Sequence, residues 1–213
     1  MRPFLLLLVP TALVTCVAVF APETPGSRGV ADQDPAIEAH PAADPADVAT
    51  LDALVTSLYD VISGPAGQKR DFDRLRSLFH PEAKMVPIGP ERGREGVFPS
   101  LIAVDGYIER AGDSLERSGF YEIETSRRVE RFGHLAQVFS AYEIKQDLEA
   151  EKPLLRGVNG ITCVFSEGRW WVLQIAWEQE TTAGEWPDRY LPDAAADTPL
   201  EPASFEIEED RDR

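Results

Sequence analysis

The sequence predicts an α+β domain in which three N-terminal helices pack on one face of a strongly curved antiparallel sheet. Three observations carry this. Residues 47–119 show apolar spacing of three to four, residues 121–178 show a spacing of two, and polar, Pro-rich stretches flank both blocks. Asp44-Pro45-Ala46-Asp47 supplies an N-cap, a first-turn proline and a third-position acid. Val48, Leu51, Val55, Leu58 and Ile62 then form one stripe, ended by Gly64-Pro65. Asp71 caps a second helix with Phe72, Leu75, Leu78 and Phe79 inward, stopped before Pro81. Met85 to Ile88 reads as a short strand, residues 89–100 as a Gly- and Pro-rich loop, and Asp105 as the cap of a third helix ending near Gly119. From Tyr121 the period is that of strands. Val158 to Phe165 and Trp170 to Trp177 flank Glu167-Gly168, a pair suited to a two-residue hairpin turn.

The chain has 213 residues, 43% of them hydrophobic, enough for one core with appendages. Its formal net charge of −16 excludes the clustered-cation surface that phosphate backbones require. Residues 1–46 carry −3 and residues 191–213 carry −6, which leaves −7 on residues 47–190. Arg2 followed by the apolar run Phe4 to Phe20 and by Val19-Phe20-Ala21 reads as a secretory signal peptide, residues 1–21, and predicts export to the periplasm or the medium. An uncleaved anchor through residues 4–20 and lipidation at Cys16 are the alternatives. Residues 22–46, with five Pro, and residues 191–213, with eight acids, read as a linker and a tail without fixed structure, bounding a domain at 47–190.

Chemistry is harder to place. Without Cys16 the only cysteine is Cys163, set in an apolar strand and read as a small buried hydrophobe. There is no His-x-x-x-His or Cys pair for zinc, and no Gly-rich phosphate loop, nucleophile elbow or dinucleotide fingerprint, so neither metal nor cofactor is expected. His80 reads as the terminator of the second helix, with a pocket acid–base role as its alternative. His134 reads as a turn residue, and His40 falls in the linker. Gln137, Asn159, Gln174 and Glu178 lie on strands with apolar neighbours, and whichever of them face the concave side become pocket candidates. Trp170, Trp171 and Trp177 read as core or interface.

The order of elements, with "LFHPEA" after the second helix and "GRWWVLQIAW" closing the sheet, resembles the nuclear-transport-factor-2-like superfamily, which includes polyketide-cyclase-like and ketosteroid-isomerase-like proteins. The resemblance spans residues 47–182. It implies a cone open at one end, a small apolar ligand and a homodimer through the sheet. It also implies that Tyr59 takes the place of the first-helix tyrosine that donates to substrate in isomerase-like members. The position of their general base falls on Pro87 and that of their second acid near Ile161, so two of the three roles are vacant. Dehydratase members use a histidine with Asp and Tyr, a set that His80 does not clearly complete. Two functions follow: an exported small-molecule-binding cone, as an acid–base enzyme on an apolar or carbonyl-bearing compound, or a non-catalytic dimerising module of the cell envelope.

Overall fold

The computed structural model describes residues 40–184 together with Trp186, Pro187 and Tyr190. The expected signal peptide, residues 22–39 of the expected linker, and the tail from 191 lie outside the described residues. Within them, helices α1 (Pro45–Val48), α2 (Leu51–Ile62) and α3 (Phe72–Leu78) precede strands β1 (Phe79–Pro90) and β2 (Val97–Pro99). Helix α4 (Val104–Arg117) follows, then β3 (Tyr121–Phe132), β4 (Leu135–Lys145), β5 (Leu155–Ser166), β6 (Arg169–Gln179) and the short α5 (Glu180–Ala183). None of these helices is long and apolar enough to cross a membrane.

Local chemistry explains most boundaries. The stripe expected as one helix is two, because Thr50 adopts extended backbone and its hydroxyl accepts from Ala53 N at 3.0 Å, opening α2 afresh. Asp71 caps α3 by accepting from Arg74 N at 2.9 Å. Beyond α2, the buried Arg70 guanidinium donates to the Ile62 carbonyl, which the helix end leaves orphaned, at 2.9 Å and to the Gly64 carbonyl at 2.7 Å. Helix α4 differs from expectation: it starts two residues earlier, after Ala103, with no side-chain cap. Asp105 instead pairs with Arg76 of α3 at 2.7 Å. Glu167 and Gly168 turn the β5–β6 hairpin at φ 53° and 76°, the left-handed pair that matches strand twist.

The six strands form one sheet in the order β2-β1-β6-β5-β4-β3. The strand expected at Met85 to Ile88 is three times longer, and it joins β6 in parallel, the one parallel pairing of the sheet. Parallel placement follows from the chain path, since α4 and four strands intervene between β1 and β6. Register shifts interrupt the ladders between Glu124 and Ser126, between Thr162 and Cys163, and between Phe79 and Lys84. Such irregularities bend strands and raise their twist, which curls the sheet around the helices. The core lies in that concavity, where Leu54, Val55 and Leu58 of α2 meet Leu75, Leu78, Phe79, Val138, Ile161 and Val172. Cys163 is fully buried there, and burial pushes its thiol up to about 12, consistent with packing rather than reactivity.

Gly157 shows how tightly the concave face is filled. A Cβ at this position would stand 2.3 Å from the Tyr142 hydroxyl and 2.8 Å from the Glu178 carbonyl. The carbonyl belongs to the paired strand and cannot swing away, so Gly157→Ala is expected to cost about 1–3 kcal/mol in urea unfolding. A loss below about 0.5 kcal/mol would show that the ladder yields there.

Candidate functional site

Cross-strand rows decide which side chains enter the concavity. Directly paired residues share a face, so Ile144, Tyr142 and Ser140 carry Glu122, Glu124 and Arg127 inward with them. Ser140 is also paired with Asn159, and Asn159 with Trp177. The row Gln137, Thr162, Gln174 lies on the outer face, where the Thr162 hydroxyl donates to Gln137 Oε1 at 3.1 Å. Glu178, paired with Val158, also points outward. Of the six residues singled out in the sequence, Tyr59 and Asn159 therefore meet inside, while Gln137, Gln174 and Glu178 are removed from the pocket by strand alternation. His80 is removed too. It belongs to β1 rather than to the end of α3, one step past the inward Phe79, and packs edge-on against Trp171 at 5.9 Å between centroids. Its Nδ1 accepts from Glu82 N at 3.2 Å, and the Arg76 carbonyl at the helix end is bonded by His40 instead.

The concavity holds a cavity of about 290 Å³ whose wall includes Met85, Tyr107, Leu115, Glu122, Ile175 and Trp177. A narrower inner chamber of about 30 Å³ continues it toward Leu58, Tyr59, Leu75 and Phe79. Glu122, Asn159 and Tyr107 line both, so they stand where the two join. The main volume is at the small end of ligand pockets, which run to roughly 300–1,000 Å³.

A directed chain of hydrogen bonds runs from this junction. The Ser140 hydroxyl has one proton, donated to Glu124 Oε1. The 2.6 Å contact between Tyr59 and Ser140 must then be donated by the Tyr59 phenol. Its oxygen accepts from Asn159 Nδ2 at 3.1 Å, and the other amide hydrogen of Asn159 goes to Glu122 Oε1 at 3.0 Å. At the far end Arg127 grips Glu124 with Nε and a terminal nitrogen at 2.8 and 2.6 Å, and its remaining nitrogen reaches Asp52 at 2.7 Å. The Arg127–Glu124 fork thus orients Ser140, Ser140 orients Tyr59, and Tyr59 orients the amide that faces Glu122. Tyr59, expected to donate to a ligand, donates to the protein.

Glu122 is the group the sequence reading missed. Some of its surface remains accessible because it lines the cavity, yet its carboxyl is shut away from bulk water. Burial raises it from the ordinary carboxylate range to about 7, against the opposing effect of the Asn159 bond, which favours the charged form. Tyr59, Tyr107 and Tyr142 are all pushed well above the ordinary phenol value, by burial first and by the Glu122 charge second, and so remain protonated donors. Tyr107 packs edge-on against Trp177 at 6.0 Å. Chemically this is an apolar chamber with one carboxyl poised to take or give a proton near neutrality. Among the described residues no group of three or more His, Cys, Asp or Glu is placed to hold a metal.

No protein-family profile matches the sequence, and no curated protein matches it. The fold is similar to that of nuclear-transport-factor-2-like proteins. Solved structures similar to it include an NTF-2-like protein of unknown function from Silicibacter pomeroyi DSS-3, at 19% identity over 62% of this chain and 93% of that one, with a TM-score of 0.42. Another is an NTF2-like protein of unknown function from Pseudomonas putida KT2440, at 12% identity over 62% and 88% of the two chains and a TM-score of 0.46. A third is LinA, at 15% identity over 59% and 80%, with a TM-score of 0.43.

Proposed function

We propose that this chain is an exported acid–base enzyme acting on a small, largely apolar compound with an acidic C–H bond beside a carbonyl or similar acceptor. Glu122 is the base that takes the proton and returns it. Asn159 holds the carboxyl and favours its charged form, and the Tyr107 phenol is the donor nearest in character to what a developing oxyanion needs. The observation carrying this reading is a carboxyl near pKa 7 at the junction of an apolar cavity. A general base works best with a pKa close to the operating pH, and shielding from water is what raises a carboxylate to that range. The apolar run at residues 4–20 supports the export half of the proposal.

Small cyclic ketones test it. Cyclohexanone incubated with the protein in D2O at pH 8 is expected to exchange its α-hydrogens faster than in buffer, by proton NMR, and Glu122→Gln is expected to abolish the acceleration. Ketone binding without any accelerated exchange would favour the non-catalytic cone. Acceleration surviving in Glu122→Gln would remove Glu122 from the chemistry.

We also propose the homodimer expected through the sheet, because Leu135 and Phe139 on its outer face stay 46% and 51% exposed. Sedimentation equilibrium should give a dimer, and Phe139→Glu a monomer. A wild-type monomer at 100 μM, about a hundred times a micromolar dissociation constant, would contradict it.

A further inference from the structure

A second cavity, of about 590 Å³, lies at the end of β1 and β6 and is walled by Pro87, Phe98, Ser100, Arg94, Arg110 and Thr182, with Trp177 and Gln179 shared with the Glu122 cavity. It is more open and more polar in character than the chamber beside it, and its charged lining is two guanidinium groups, Arg94 and Arg110, and one carboxylate, Glu91. The two guanidinium groups are not equivalent. Arg94 is already engaged, paired with Glu91 at 2.5 Å and stacked on the Phe98 ring at 3.7 Å. Arg110 enters none of the ion pairs among the described residues. Further along the same helix, Asp113 is turned to Arg117 at 3.7 Å rather than back to Arg110. Arg110 precedes Ala111 and stands one turn before Ser114, both lining residues of the Glu122 cavity, so its side chain leaves the helix beside that cavity's mouth.

We propose that this vestibule is an anion subsite, in which Arg110 receives the carboxylate tail of a substrate whose apolar, reactive head occupies the Glu122 cavity. The inference rests on the reading of that cavity as the reaction chamber and narrows the substrate class to small amphiphilic carboxylic acids. A guanidinium presents a planar fork that fits a carboxylate with two parallel hydrogen bonds, and Ser100 and Thr182 add hydroxyls to the same wall. Trp177 forms the apolar ridge between head and tail, fixing a minimum length for a compound that reaches both ends.

The probes are 5-phenylpentanoate and its neutral counterpart 5-phenylpentanol, titrated calorimetrically into the full chain at pH 6, where Glu122 is mostly protonated and does not repel the acid. The acid is expected to bind at least tenfold more tightly than the alcohol. Arg110→Gln should erase that preference while leaving the alcohol's affinity unchanged, and Arg117→Gln, on the same helix but outside the vestibule, should keep it. Benzoate, too short to span the ridge, should show no preference over benzyl alcohol. Equal affinity of acid and alcohol, or a preference that survives Arg110→Gln, overturns the subsite and leaves the cavity reading intact. Failure of the alcohol to bind the wild type overturns the cavity reading and the subsite with it.

Discussion

Glu122→Gln is expected to stabilise the protein at pH 8 and to leave it nearly unchanged at pH 4. The sign follows from where the proton resides. In the unfolded chain a glutamate loses its proton near 4.5, whereas in the folded protein Glu122 keeps it to about 7. Between those values the native state binds more protons than the unfolded state, so stability falls as pH rises through the window and levels off above it. Gln removes the titration and keeps the shape, and its oxygen still accepts from Asn159 Nδ2. The difference between variant and wild type should therefore grow from near zero at pH 4 to about 3 kcal/mol at most at pH 8, several degrees in the unfolding midpoint. A pH-independent difference would mean that the carboxyl titrates alike in both states. An enzyme that places a base in an apolar chamber gives up stability at its working pH, and Glu122→Gln should expose that trade together with the loss of exchange activity.

Asn159→Leu is expected to act in the opposite direction on stability and to move Glu122 further from its ordinary range. Asn159 is 4% exposed and serves two acceptors, Glu122 and the Tyr59 oxygen, with the two hydrogens of one amide. Leucine fills similar volume and supplies neither bond, leaving two buried acceptors with one partner fewer each, at a cost of about 3 kcal/mol. The lost bond was the one favouring the ionised carboxyl, so the pH midpoint of ketone exchange should rise above that of the wild type. Unfolding at the wild-type denaturant midpoint, with an unmoved pH profile, would show that the amide is structurally idle.

These residues also show what the sequence made legible. Tyr59 and Asn159 were within reach: one is a tyrosine beside the apolar stripe of α2, the other a lone amide in a run of apolar strand residues. The four strands from Tyr121 to Gln179 and the Glu167-Gly168 turn were equally readable, because period-two alternation and a left-handed turn pair are local properties. Glu122 and Glu124 were not. Both faces of β3 carry comparable residues at its start, with Tyr121, Ile123 and Thr125 against two acids, and alternating acids ordinarily mark the solvent side. Pairing with Ile144 and Tyr142 reverses that, and a register shift after Glu124 sits between the acids and the rest of the strand. Register is a long-range property that no window of the sequence contains. The same cause displaced Gln137, Gln174 and Glu178, whose faces depend on which neighbour each strand meets. His80 was lost differently. Pro81 marks the end of a helix as readily as the start of an edge-type strand, and the parallel partner that makes β1 a strand from Phe79 onward lies some ninety residues away.

The central claim is the ionisation of one carboxyl, and it is directly observable. Protein labelled at the glutamate side-chain carboxyl carbon, titrated by carbon-13 NMR with Glu122→Gln to assign the resonance, is expected to show Glu122 with a midpoint of about 7. A midpoint between 4 and 5, the range of an ordinary solvated glutamate, would contradict the account.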